Sequence, residues 1–155
     1  MSKPTLIISC SAAKADTPML AFDLYKGGLF TLIRANMDDI HDHFNLLILS
    51  ALYGLIDSKE LIEPYNVLMP TNPASLNDFV LTHKAKATKN LAKYASTDAG
   101  VFVVLPKKYL AAFDELLAHR PFNKAFNTYL SHYISRKHSG IGVLRQRLKF
   151  ILEHH

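Results

Sequence analysis

The chain has 155 residues, 49% apolar and 20% charged, a balance suited to one compact domain with a real core. Its longest apolar runs, residues 46–49 and 101–105, are strand-sized, far short of the roughly 20 residues a membrane-crossing helix needs. A single cysteine excludes an intrachain disulfide and, with no signal-peptide pattern at the N-terminus, favours the cytoplasm, while a net charge of +5 leaves acidic partners open.

In chain order, residues 5–9 read as a buried first strand, followed by a loop over residues 10–18. From Leu20 the apolar positions suit helical faces, with a break or close approach expected at Gly27-Gly28. Residues 46–50 form a second strand, after which Tyr53-Gly54-Leu55-Ile56-Asp57 turns the chain away. Asn72-Pro73-Ala74-Ser75 opens a long helix whose polar face carries Lys84, Lys86, Lys89 and Lys93. Residues 101–105 are the third strand. Helices are expected over residues 108–119, 122–137 and 143–151, the last introduced by Gly140-Ile141-Gly142. Strands alternating with helices predict an α/β fold: an open, mostly parallel, Rossmann-like sheet flanked by helices, with a helical C-terminal part. Residues 1–151 are taken as one domain, and Leu152-Glu153-His154-His155 as the remnant of an expression tag.

In such sheets ligands bind beyond the carboxyl ends of the strands. After the first strand, Ser9-Cys10-Ser11-Ala12-Ala13-Lys14 offers hydroxyls, small residues and an ammonium that could hold a phosphate or carboxylate. A buried structural role is the commoner outcome for a lone cysteine such as Cys10. After the second strand, Ser50, Tyr53 and Gly54 supply hydroxyls, an aromatic ring and backbone freedom, and Glu63-Pro64-Tyr65-Asn66 adds a rigid wall with a carboxylate. Asp23, Glu63 and Lys14 are the catalytic candidates; Ser11, Tyr25, Lys26, Gly27, Ser50, Tyr53, Gly54, Tyr65 and Asn66 are the ligand-binding ones. Capping, or pairing of the carboxylates with Lys14 or Lys26, is the bland alternative.

His41-Asp42-His43 has ligand-type residues at a spacing that points them to different sides of a helix, so no metal and no cofactor is assigned. Gly140 and Gly142, followed by Arg145 and Arg147, have the outline of a hairpin that presents amides to a nucleic-acid phosphate, and equally of a plain interhelical turn. Arg136, Lys137 and Lys149 extend that basic stretch.

The segments Asp23-Leu24-Tyr25-Lys26-Gly27-Gly28, Leu49-Ser50-Ala51-Leu52-Tyr53-Gly54-Leu55-Ile56 and Ile62-Glu63-Pro64-Tyr65-Asn66-Val67-Leu68-Met69 resemble, in the same order, the YaaA family of peroxide-stress proteins and its small bacterial and phage relatives that begin with a strand and Cys-Ser-x-x-Lys. The likeness covers about the first 70 residues, with a fainter echo in residues 140–148. It implies an α/β core, a cytoplasmic location and a role in nucleotide or nucleic-acid biology, including DNA binding and protection from iron-driven oxidative damage. It points at Lys14, Tyr25, Gly27, Ser50, Tyr53, Gly54, Pro64 and Tyr65. Cys10-Ser11-x-x-Lys14 is also faintly similar to a domain of tRNA deazaguanine-modifying enzymes, which implies base chemistry. The expectation is therefore a protein that binds or hydrolyses a nucleotide or nucleic-acid base, with N-glycosidic chemistry in view. The alternative is a non-catalytic DNA- or RNA-binding stress protein, and a homo-oligomer is left open.

Overall fold

A computed structural model describes residues 3–94, 100–118 and 141–155. Four strands form one sheet: β1 (Thr5–Ser9), β3 (Asn45–Ser50), β4 (Gly54–Asp57) and β6 (Val101–Val104), in the order β4-β3-β1-β6. β1 is parallel to both β3 and β6, in registers that set Ile7 opposite Leu47 and Val103. β4 is antiparallel to β3, with Leu49 opposite Leu55. The sheet is thus mostly parallel, with one antiparallel edge. A small separate ladder joins β2 (Met19–Leu20) to β5 (Leu61–Ile62).

Side chains alternate across the sheet because successive strand residues point to opposite faces. Ile7, Leu47, Leu49, Val101 and Val103 pack with Phe79, Val80, Ala87 and Leu91 of α3 (Pro73–Lys93) and with Leu110, Phe113 and Leu116 of α4 (Lys107–Ala118). Leu6, Ile8, Leu46, Ile48 and Val104 pack on the other face, against α1 (Ala21–Leu24), α2 (Leu29–Asn36) and α5 (Ile141–His154). β1 is buried along its whole length between these layers, which is why it reads as a continuous apolar run. Each large apolar side chain so buried contributes about 1.5–3 kcal/mol.

The structure differs from the sequence-based expectation at three points. Residues 54–57 do turn from β3, but they return along it as β4; the tight turn after Ser50 brings Leu55 and Ile56 back into the core. The two-residue strands β2 and β5 are too short to carry a periodic signal. The break expected at Gly27-Gly28 is present: the helical stretch from Leu20 divides there into α1 and α2, and Gly28 has φ +57°. The last helix begins at Ile141, so Gly142 is helical rather than part of a hairpin, and α5 runs past Ile151 with Leu152 buried. Gly140, Arg136, Lys137 and the helix expected over residues 122–137 lie outside the described residues. No helix among the described residues is long and apolar enough to cross a membrane.

Candidate functional site

β1 is where the topology divides. The chain leaving β1 goes to α1 and α2 on one face, whereas the chain leaving the adjacent β6 goes to α4 on the other. Connections that part in this way open a crevice at the carboxyl ends of the strands. Cys10 and Tyr109 stand there: Cys10 directly follows β1, Tyr109 lies in the first turn of α4, and the thiol and hydroxyl are 3.3 Å apart. Burial, the neighbouring thiol and their mutual hydrogen bond all raise the pKa of the Tyr109 hydroxyl, which stays protonated.

The loop after β1 is tied to the residues ahead of α2. Ala15 N–H donates to Leu24 O, Lys26 N–H donates to Ala13 O, and Lys14 bridges Tyr25 in antiparallel fashion. Ser11 Oγ accepts from Gly27 N–H at 3.3 Å and donates to Ala13 O at 2.7 Å. Gly27 is needed for this approach, since a Cβ there would come within 3.1 Å of the Ala13 methyl. Arg34 closes the arrangement from α2, donating to the carbonyls of Phe22 and Tyr25.

Three aromatic residues meet beneath this loop. Tyr25 Oη lies 2.7 Å from Tyr65 Oη, which lies 2.6 Å from Ser50 Oγ at the end of β3. Ser50 Oγ also accepts the backbone N–H groups of Leu52 and Tyr53, so one buried hydroxyl shapes the turn and anchors Tyr65. Tyr53 packs edge-on against Tyr65, and its hydroxyl clips the backbone N–H and C=O of Glu63. The Lys14 ammonium stands 4.4 Å from the Tyr65 ring centroid and 6.0 Å from that of Tyr25. Burial pushes the Tyr25 hydroxyl up to about 12 despite its hydrogen bonds to Tyr65 and Ser50; burial likewise raises Tyr65. Both phenols are neutral O–H groups at physiological pH.

Lys14, Ser11, Tyr25, Gly27, Ser50, Tyr53 and Tyr65 are therefore brought together from four separate segments of the chain. Glu63 joins them through its backbone while its side chain is exposed, and Asn66 and Lys26 are exposed beside the cluster. Asp23 is exposed in α1, where its charge acts on the Arg34 guanidinium. Gly54 faces α3 instead: its φ is +79°, and His83 lies 2.7 Å from where a Cβ would stand. Arg145 donates to Gly28 O at 3.3 Å, which places it beside the Gly27-Gly28 turn, and Arg147 is half-buried in α5. Tyr109 and Arg34 were missed by sequence reasoning. Tyr109 could have been found, because three residues after Pro106 it must lie at the carboxyl end of the third parallel strand.

His41 donates to or accepts from Ser58 Oγ at 2.7 Å and pairs with Asp39, away from this cluster. Among the described residues no group of three or more His, Cys, Asp or Glu side chains could hold a metal ion.

The chain belongs to a family of unknown function, DUF6884, whose model matches residues 5–130. No curated protein and no solved structure matches it significantly.

Proposed function

We propose that the crevice at the carboxyl ends of β1, β3 and β6 binds a nucleotide or nucleic-acid base, and that the protein acts on the bound molecule. One observation carries this reading: an ammonium, neutral phenolic hydroxyls and aromatic rings converge from separate loops at the sheet's topological switch point. Lys14 suits a phosphate as a point charge; Lys26, whose backbone N–H bonds Ala13 O, and Arg145, which donates to Gly28 O, add positive charge to the adjoining segments. Tyr53 and Tyr65 suit a base, by ring contact or by O–H donation to its carbonyls. The resemblance of these segments to the YaaA family favours the same ligand class.

If the reaction is cleavage of an N-glycosidic bond, Glu63 is the carboxylate at hand for proton transfer, standing at the rim where Tyr53 fixes its backbone. The test is to incubate the protein with a panel of nucleosides and nucleotides and follow release of free base by chromatography. Glu63→Gln keeps the volume of the side chain and is expected to slow release by about 10²–10⁴ with an unchanged melting temperature. Absence of release from every member with wild type, together with absence of binding, contradicts the reading. A nucleic-acid interface on the α3 lysines is less favoured, because Lys86 is paired with Glu60 and Lys93 with Asp57.

A further inference from the structure

The Lys14 side chain stands on a surface that the proposed ligand needs. Its ammonium lies over the ring of Tyr65, 4.4 Å from the centroid, and donates a long 3.3 Å bond to Ala12 O. No carboxylate pairs with it among the described residues. The backbone around it is pinned, Ala15 N–H to Leu24 O and Lys26 N–H to Ala13 O, so the loop stays in place. The side chain is not pinned: a flexible four-carbon stem ends in a compact charge, and both contacts of that charge are weak. Tyr65, by contrast, is fixed. Its hydroxyl lies 2.6 Å from Ser50 Oγ and 2.7 Å from Tyr25 Oη, and the rings of Tyr53 and Tyr25 stand nearly perpendicular to its own. Both Tyr65 and Lys14 are partly exposed, so ring and ammonium are within reach of a ligand in the crevice. A base stacking on the face that Lys14 covers has to take the place of the ammonium.

We propose that Lys14 is a phosphate-released cover on the Tyr65 ring: without an anion the ammonium occupies the ring face, and an arriving phosphate draws it off and opens that face to the base. Phosphate and base then bind with positive coupling, and the crevice favours a phosphorylated nucleoside over either of its parts. This rests on reading the crevice as a nucleotide site, and adds how its two halves communicate. The size of the effect follows from the contact that is broken. An ammonium–ring contact at a solvated site favours the covered form over the open one by about two- to five-fold. Linkage then limits the gain in base affinity on adding phosphate to about that factor, and requires the same gain in phosphate affinity on adding base.

The experiment is a calorimetric cycle at constant ionic strength. Adenosine, guanosine, cytidine and uridine are titrated in turn with and without saturating inorganic phosphate, and phosphate with and without the nucleoside that binds best, in wild type and in Lys14→Ala. In wild type, phosphate is expected to tighten nucleoside binding by about two- to five-fold, with an equal reciprocal gain. Lys14→Ala removes the cover, so nucleoside alone should bind it as tightly as it binds wild type with phosphate present, and added phosphate should change nothing. A gain in affinity on deleting a cation from the site is a result that loss of packing would not produce. Should Lys14→Ala fail to fold, the wild-type cycle decides alone. Nucleoside binding to wild type that is indifferent to phosphate overturns the cover and leaves the crevice standing as a nucleoside site. Nucleoside binding weakened in Lys14→Ala makes Lys14 a direct contact of the base and overturns the cover in the same way. Absence of nucleoside binding to both proteins, with and without phosphate, overturns the nucleotide reading itself and the cover with it.

Discussion

A methyl group on Gly54 has nowhere to go: φ is +79° and the Cβ and Cγ of His83 would lie 2.7 Å away. Left-handed backbone costs an L-residue about 1–2 kcal/mol and overpacking about 1–3 more. Gly54→Ala should therefore lower Tm by on the order of 10 °C, measured by calorimetry, without touching the tyrosine cluster. Tyr25 gives a second prediction at this scale. Its folded pKa is raised from 10.0 to about 12, so its neutral form stabilises the fold fully below pH 10, and that contribution is lost as pH rises from 10 toward 12. Stability should fall over this window by as much as about 1.4 kcal/mol per pH unit, and less steeply in Tyr25→Phe. Chemical unfolding at several alkaline pH values reads the slope directly.

Between elements, the antiparallel edge is fastened to α3 by charge. Asp57, the last residue of β4, accepts from Lys93 at 3.1 Å, from Tyr94 at 2.8 Å and from the backbone N–H of Lys59. Burial alone would raise its pKa, but these three donors hold the carboxyl below the ordinary range. Its stabilisation is present above the unfolded carboxylate pKa and is lost as pH falls through the depressed value. Asp57→Asn should cost about 1 kcal/mol near neutral pH and flatten the acid limb of a pH–stability curve. The same pairing leaves Lys84 and Lys89 as the α3 lysines without a carboxylate partner among the contacts described, so any duplex DNA binding through α3 should show a log–log salt slope no steeper than about −2. A steeper slope in a fluorescence titration would restore α3 as a nucleic-acid face. Much of this scale was legible beforehand. The strands β1, β3 and β6 are buried on both sides and read as apolar runs, and Asn72-Pro73 marks α3 because the Asn72 side chain caps Ser75 N–H. β4 escaped because four residues opening on a glycine look like a turn, and Gly142 was read as hairpin because a glycine carries no apolar periodicity.

Across the whole molecule, the candidate site is assembled because one sheet sends its connections to opposite faces. Residues 11–15, 25–28, 50–54 and 63–66 are far apart in sequence and have no shared periodicity, yet each follows or abuts the carboxyl end of a strand. Their convergence was legible from that rule alone. The hydroxyl chain was not, since nothing in the residue types Ser50, Tyr25 and Tyr65 shows that they will bond to one another. Nor was the engagement of Cys10 with Tyr109, which depends on how α4 leaves β6. The most direct test of the central claim is a ¹H–¹⁵N correlation spectrum recorded while a nucleoside monophosphate is titrated into the isotopically labelled chain. Saturable shifts are expected, concentrated in the amides of residues 10–15, 25–28, 50–54, 63, 65 and 66. Shifts confined to α3 or to the Arg145–Lys149 stretch of α5, or none at millimolar ligand, would contradict it.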